Sequence, residues 1–174
     1  MFSITDDQLN DYLSFIKSNV SIQYPEYFDI INFLYLSGIR ISDVFNFNNY
    51  NYVDENNISL LQSKNKTVRI FDKSIIPACT KLFLSGNTDI VNYFTISHLN
   101  NYLNNIFKFN KLIADNRIIN SYCFRYNRFK QYYKEFNNIQ SVSKIMGEVN
   151  DLNTVGYVFK QIKTTSDISL FLSA

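Results

Sequence analysis

Apolar residues recur along this chain at helical spacing in most segments and alternate with polar ones in a single stretch. Leu9, Tyr12, Leu13 and Ile16 make one face of a first helix. It is opened by a Thr5/Gln8 capping box, with Ile4 and Leu9 placed as a hydrophobic staple. A second helix starts at Pro25, carries Phe28, Ile31, Phe33, Leu34 and Leu36, and stops at Gly38. Proline suits the first helical turn, where its missing N–H is no loss, and glycine suits the residue after the last. A short helix begins near Ser42, and the polar stretch Asn48–Asn57 reads as loop. The alternation falls in Ile58–Gln62 and Thr67–Phe71, two strands joined by the tight basic turn Ser63-Lys64-Asn65-Lys66. Helical spacing returns over 74–84, 97–109, 120–136, 140–146 and 151–160, and a polar linker then leads to the short apolar segment Ile168–Leu172. Helices, one small antiparallel sheet, then helices again predict a mainly helical α+β domain over 1–163, with a C-terminal tail at 164–174.

Composition narrows the class. The chain has 174 residues, of which 46% are hydrophobic and 18% charged, enough for one domain with its own core. The net charge is only +2, but it is unevenly spread. Residues 1–99 hold 7 Lys/Arg against 10 Asp/Glu, and residues 100–174 hold 10 against 5. A basic half on a near-neutral chain is the footprint expected of a surface that meets a polyanion. Cys79 and Cys123 lie in apolar helical patterns without CxxC spacing, so they read as buried thiols in a reducing compartment. A single histidine, His98, argues against a histidine-based metal site, and no cofactor is expected. Asp6 and Asp7 interrupt any signal-like apolar region, and no apolar run approaches the roughly 18 residues of a membrane span. The expectation is a cytoplasmic protein with no membrane partner.

Four separated segments carry the candidate chemistry. In order they are Leu36-Ser37-Gly38-Ile39-Arg40-Ile41-Ser42-Asp43, the hairpin Gln62-Ser63-Lys64-Asn65-Lys66-Thr67-Val68-Arg69, Tyr122-Cys123-Phe124-Arg125-Tyr126, and Ile145-Met146-Gly147-Glu148 followed nine residues later by Tyr157. Together they resemble the boxes of the tyrosine recombinase (phage integrase) family. The first is similar to T-G-[LI]-R-[IV]-S-E, the second to the β-hairpin that presents a lysine. The third is similar to H-x-[LF]-R-H, and the fourth to L-G-H with the tyrosine at its usual distance. The resemblance spans roughly residues 5 to 160 and implies the catalytic-domain fold of that family.

What it implies chemically follows from the reaction. Breaking a phosphodiester without metal or water needs a nucleophile that stores the bond as a covalent ester. A tyrosine hydroxyl, with a pKa near 10, attacks only a strongly polarised phosphate. Arg40 and Arg125 would grip the non-bridging oxygens through charge-assisted bonds, with Asp43 holding a guanidinium in place. Lys64 would give a proton to the departing 5′ oxygen, Tyr122 would donate from its hydroxyl, and Tyr157 would form the 3′-phosphotyrosine. Lys66, Arg128, Lys130 and Lys144 are the further candidates for backbone contacts to double-stranded DNA, and the apolar tail is a candidate for self-association on it.

Two positions depart from the family pattern. Tyr122 and Glu148 stand where it has histidines. Glu148 replaces a donor by an anion, and a carboxylate ~4 Å from a phosphate charge repels it by about 4 kcal/mol at an effective dielectric of ~20. Two functions therefore stay open: a site-specific recombinase that cleaves and rejoins strands, and a catalytically degenerate recombinase-fold regulator that binds DNA without cleaving it.

Overall fold

The computed structural model describes residues 11, 14, 25–87, 95–109 and 121–159. Asp11 and Ser14, on the expected first helix, are helical and exposed, whereas that helix's cap and staple lie outside the described residues, as does the tail. From residue 25 onward the described helices are α1 (Pro25–Ser37), α2 (Ile41–Val44), α3 (Ala78–Leu84), α4 (Ile96–Phe109), α5 (Tyr122–Phe136), α6 (Ile139–Met146) and α7 (Asp151–Phe159). The strands are β1 (Tyr50–Tyr52), β2 (Asn57–Leu61) and β3 (Val68–Asp72). They form one antiparallel sheet in the order β1-β2-β3, with Tyr50 opposite Leu60 and Leu60 opposite Arg69.

Two expectations need correction. The stretch Asn48–Asn57, read as loop, begins inside a 3-10 turn, Phe47–Asn49, and continues into β1, so the sheet has three strands and not two. Its asparagines are poor strand formers, and it is pairing with β2 that makes this segment extended. Asp54 closes the connection by accepting from the backbone N–H of Asn56 and of Asn57, both at 2.8 Å. The helix expected over 74–84 starts only at Ala78, after a 3-10 turn at Lys73–Ile75. Pro77 is the reason. Its ring keeps the preceding residue out of the helical region, and Ile76 is extended at φ −71°, ψ 133°.

The core lies where α1 meets the sheet and α5. Ile30, Ile31, Phe33 and Leu34 of α1 are fully buried with Ile58 and Leu60 of β2, Leu99 and Leu103 of α4, and Phe124 of α5. Phe33 meets Phe71 of β3 edge to face at 5.4 Å. The inward period-two positions of β3 are Arg69 and Phe71, so a cation enters this interior beside an aromatic ring. A smaller cluster, Phe129, Val142 and Met146, joins α5 to α6. Both cysteines are free and buried. Among the described residues no helix is long and apolar enough to cross a membrane.

Candidate functional site

Gly38 organises one side of the site. It follows α1 at φ +62°, a conformation that side chains rarely adopt, and a Cβ there would lie 2.7 Å from Arg128 Cβ. The turn it makes exposes its carbonyl inward and brings Arg40 to the start of α2, in extended conformation. Arg125, on α5 and 1% exposed, donates from Nη1 to the Gly38 carbonyl at 2.6 Å, and its guanidinium sits 5.0 Å from the Phe129 ring. Burying two guanidiniums side by side costs several kcal/mol per ion in lost hydration, which an anion between them offsets.

That anion is Glu148. Its Oε1 accepts from Arg40 Nη2 at 2.6 Å and from Arg125 Nη2 at 2.6 Å. Its Oε2 accepts from Asn65 Nδ2 at 2.9 Å, and the residue is only 7% exposed. Glu148 comes directly after Gly147, which ends α6 at φ +66°. The hairpin turn braces that glycine: Asn65 Nδ2 and Thr67 Oγ1 donate to its carbonyl at 2.8 and 3.0 Å. Gln62 does two tasks, accepting from Arg40 Nη1 at 3.1 Å and donating to the Met146 carbonyl at 3.2 Å. Asp43 accepts from the Ser63 backbone N–H at 2.9 Å and lies 4.0 Å from Arg40 Nη1, an ionic contact too long for a hydrogen bond. Two guanidiniums, two carboxylates and the turn that carries Lys64 thus form one connected polar network, with its formal charges balanced.

No family model matches the chain, and no curated protein sequence matches it. Solved structures do. Superposition on XerA recombinase gives a TM-score of 0.64 at 16% identity, covering 99% of this chain and 63% of that one. XerH site-specific recombinase, in a post-cleavage complex with palindromic difH substrate, gives 0.63 at 12% identity over 97% of this chain and 53% of that one. The Tn1549 transposon integrase in complex with transposon right end DNA gives 0.53 at 15% identity over 97% and 64%. The chain has the fold of a tyrosine recombinase catalytic domain. It spans between about half and two thirds of the length of these neighbours.

Within the recombinase fold the candidate residues divide. Arg40, Asp43, Arg125 and Glu148 come together, and the Lys64 turn is tied to them through Ser63 and Asn65. Lys64 itself is exposed, as is Lys66, whose φ of +55° closes the turn. Tyr122 is exposed on the first turn of α5, one turn before Arg125. Tyr157 is on α7, one turn beyond Thr154, whose hydroxyl lies 2.6 Å from that of Ser143 on α6; the Tyr157 side chain is outside the described residues. Arg128 is committed within α5, donating to Gln131 and to the Tyr132 hydroxyl at 2.9 and 3.0 Å. With exposed Lys144 it lines a cleft of about 650 Å³ beside β3, whose lining includes none of Arg40, Arg125 and Glu148. Lys130 is half-buried on α5.

Three contributors escaped the sequence reading. Gln62, Asn65 and Thr67 lie inside the hairpin box but have no titratable group to draw notice. Arg69, buried on β3, is a fourth. Its Nη2 donates to the Ser37 carbonyl at 2.8 Å, and burial, with Arg125 next, lowers its pKa to about 10. Its inward place in an alternating strand was the available signal.

Proposed function

We propose that the chain is the DNA-binding and strand-exchange domain of a site-specific recombinase, acting on duplex DNA. One observation carries this reading: Arg40 and Arg125, from separate elements, each bring a guanidinium nitrogen to 2.6 Å from the same oxygen. Two charge-assisted donors on one oxygen are what a scissile phosphate needs, since they bind its ground state and stabilise the charge that grows on it. The fold neighbours crystallised with their DNA substrates support the same assignment.

The proposed chemistry is a transesterification. The Tyr157 Oη–P bond forms as the P–O5′ bond breaks, the phenolic proton leaves to solvent, and Lys64 supplies a proton to the 5′ oxygen. Asp43 holds the hairpin turn through Ser63, and Tyr122 adds a hydroxyl donor at the rim. Rejoining reverses these steps, so no external energy source or cofactor enters. Residues 1–163 are assigned to the domain, and the apolar tail at 164–174 to packing either on a neighbouring copy assembled on DNA or back into a groove of its own domain. Lys66, Lys130, Lys144 and Arg128 add sequence-independent backbone contacts.

A nicked suicide duplex tests the reading. Wild type should form a covalent protein–DNA adduct that resists denaturation, and Tyr157→Phe should form none. Arg40→Lys and Arg125→Lys should each weaken duplex binding as well as adduct formation. Duplex binding that depends on both arginines but gives no adduct would make the chain a binder that does not cleave. Binding unaffected by either arginine would end the assignment.

A further inference from the structure

We propose that Glu148 is a built-in substitute for a DNA phosphate, a specificity-determining residue that keeps the arginine seat occupied until duplex DNA displaces it. This rests on the phosphate-binding reading of Arg40 and Arg125 and adds to it what fills their seat beforehand.

The contacts are those of an anion in a built site. One oxygen of Glu148 takes a guanidinium donor from each arginine, and the other takes the amide of Asn65. A phosphodiester offers two non-bridging oxygens and one negative charge to the same three donors, so carboxylate and phosphate compete for one place. Burial makes the occupancy strong. The arginines are 5% and 1% exposed, and both would face each other's charge without an intervening anion. A carboxylate tethered to the wall of the site is present at a high effective concentration, which a free anion must exceed.

The setting lets the carboxylate leave without unfolding anything. The Glu148 backbone N–H donates to the Ser143 carbonyl at 2.8 Å, a bond that does not involve the side chain. Val149, next in the chain, is 75% exposed, and Asn150 caps α7 through the Leu152 N–H at 2.8 Å. Rotation of the Glu148 side chain toward this exposed connection therefore opens the seat while Gly147 stays clamped by Asn65 and Thr67.

The consequence is selectivity. An isolated anion has only the seat to gain and loses to the tethered carboxylate. A phosphate in a duplex is delivered with its neighbours, and the exposed Lys64 and Lys66 stand on the turn that Asn65 ties to the seat, placed to engage them. Apparent affinity falls by the fraction of molecules whose seat is open, so removing the tethered charge should recover that factor.

The test compares wild type with Glu148→Gln, which keeps the shape and removes the charge. Inorganic phosphate, titrated by calorimetry, should bind Glu148→Gln at least about tenfold more tightly than wild type. It should also raise the melting temperature of the variant more than that of wild type. If Glu148→Gln is poorly folded, Glu148→Asp serves, because a side chain one methylene shorter cannot reach both guanidiniums and should give an intermediate gain. Equal phosphate affinity in wild type and in a folded variant overturns the proposal. Should that happen while duplex affinity still depends on Arg40 and Arg125, the phosphate-binding reading stands and only the self-occupied seat is lost. Duplex affinity indifferent to both arginines removes the reading and the proposal together.

Discussion

The carbonyl of Gly38 accepts a 2.6 Å hydrogen bond from Arg125 Nη1 across 87 positions of sequence. One glycine thereby positions both arginines of the seat: Arg125 through its carbonyl and Arg40 through the turn it makes two residues earlier. Gly38→Ala would place a methyl 2.7 Å from Arg128 Cβ at a positive φ. The expected cost is about 2–4 kcal/mol in urea unfolding, from left-handed strain plus overpacking. Gly86→Ala is the control: its φ is +98°, but nothing lies within 4 Å of the added carbon, so only the backbone strain of about 1–2 kcal/mol should be seen.

The helix that carries Tyr157 is tied down by a hydroxyl pair. Ser143 Oγ and Thr154 Oγ1 are 2.6 Å apart and buried. Thr154→Val keeps the volume and leaves the Ser143 hydroxyl without its partner, at a cost of about 1–3 kcal/mol. Adduct formation on the nicked duplex should fall more than duplex affinity does, because the loss acts on the position of α7 and not on the arginines. Equal falls in both would show that the pair matters only for folding.

Cys123 is held as a thiol, since burial pushes its pKa up to about 12, and burial also raises that of Cys79. The folded state therefore binds these protons more tightly than the unfolded chain does. Stability from this source is complete below the ordinary thiol pKa of 9.0 and declines as pH rises from there toward about 12. Cys123→Ala should flatten that part of the stability curve, measured by urea unfolding between pH 8 and 10. In the native protein at pH 8, a thiol reagent should label Cys123 only as fast as the protein opens.

Salt dependence separates the outer cations. Lys66 and Lys144 are exposed, whereas the Arg128 guanidinium is held by Gln131 and Tyr132. Lys66→Ala and Lys144→Ala should weaken duplex binding uniformly across sequences, each reducing the slope of log K against log salt by about 1. Arg128→Ala should change the slope less and lower stability more. Fluorescence anisotropy at several salt concentrations reads both quantities.

How much of this was legible beforehand depends on the range of the interaction. Pro25 and Gly38 bracket α1 from sequence because helix ends obey local backbone rules, and the alternation of Ile58, Leu60, Arg69 and Phe71 marks β2 and β3 for the same reason. The order of the four boxes carried the fold. Local rules failed at Tyr50–Tyr52, which is a strand only because β2 supplies its hydrogen bonds, and at 74–77, where Pro77 outweighed an apolar spacing that looked helical. The site was half readable. Arg40 and Arg125 could be named, but the role of Glu148 could not, because a carboxylate reads the same whether it repels a phosphate or takes its place. Its partners lie 108, 83 and 23 positions away, and only folding brings their donors within 3 Å of its oxygens. Composition and periodicity determine which elements form and which faces are buried. The direction of a buried charge is decided by tertiary structure, since desolvation forces it to find whatever partner the packed elements bring near.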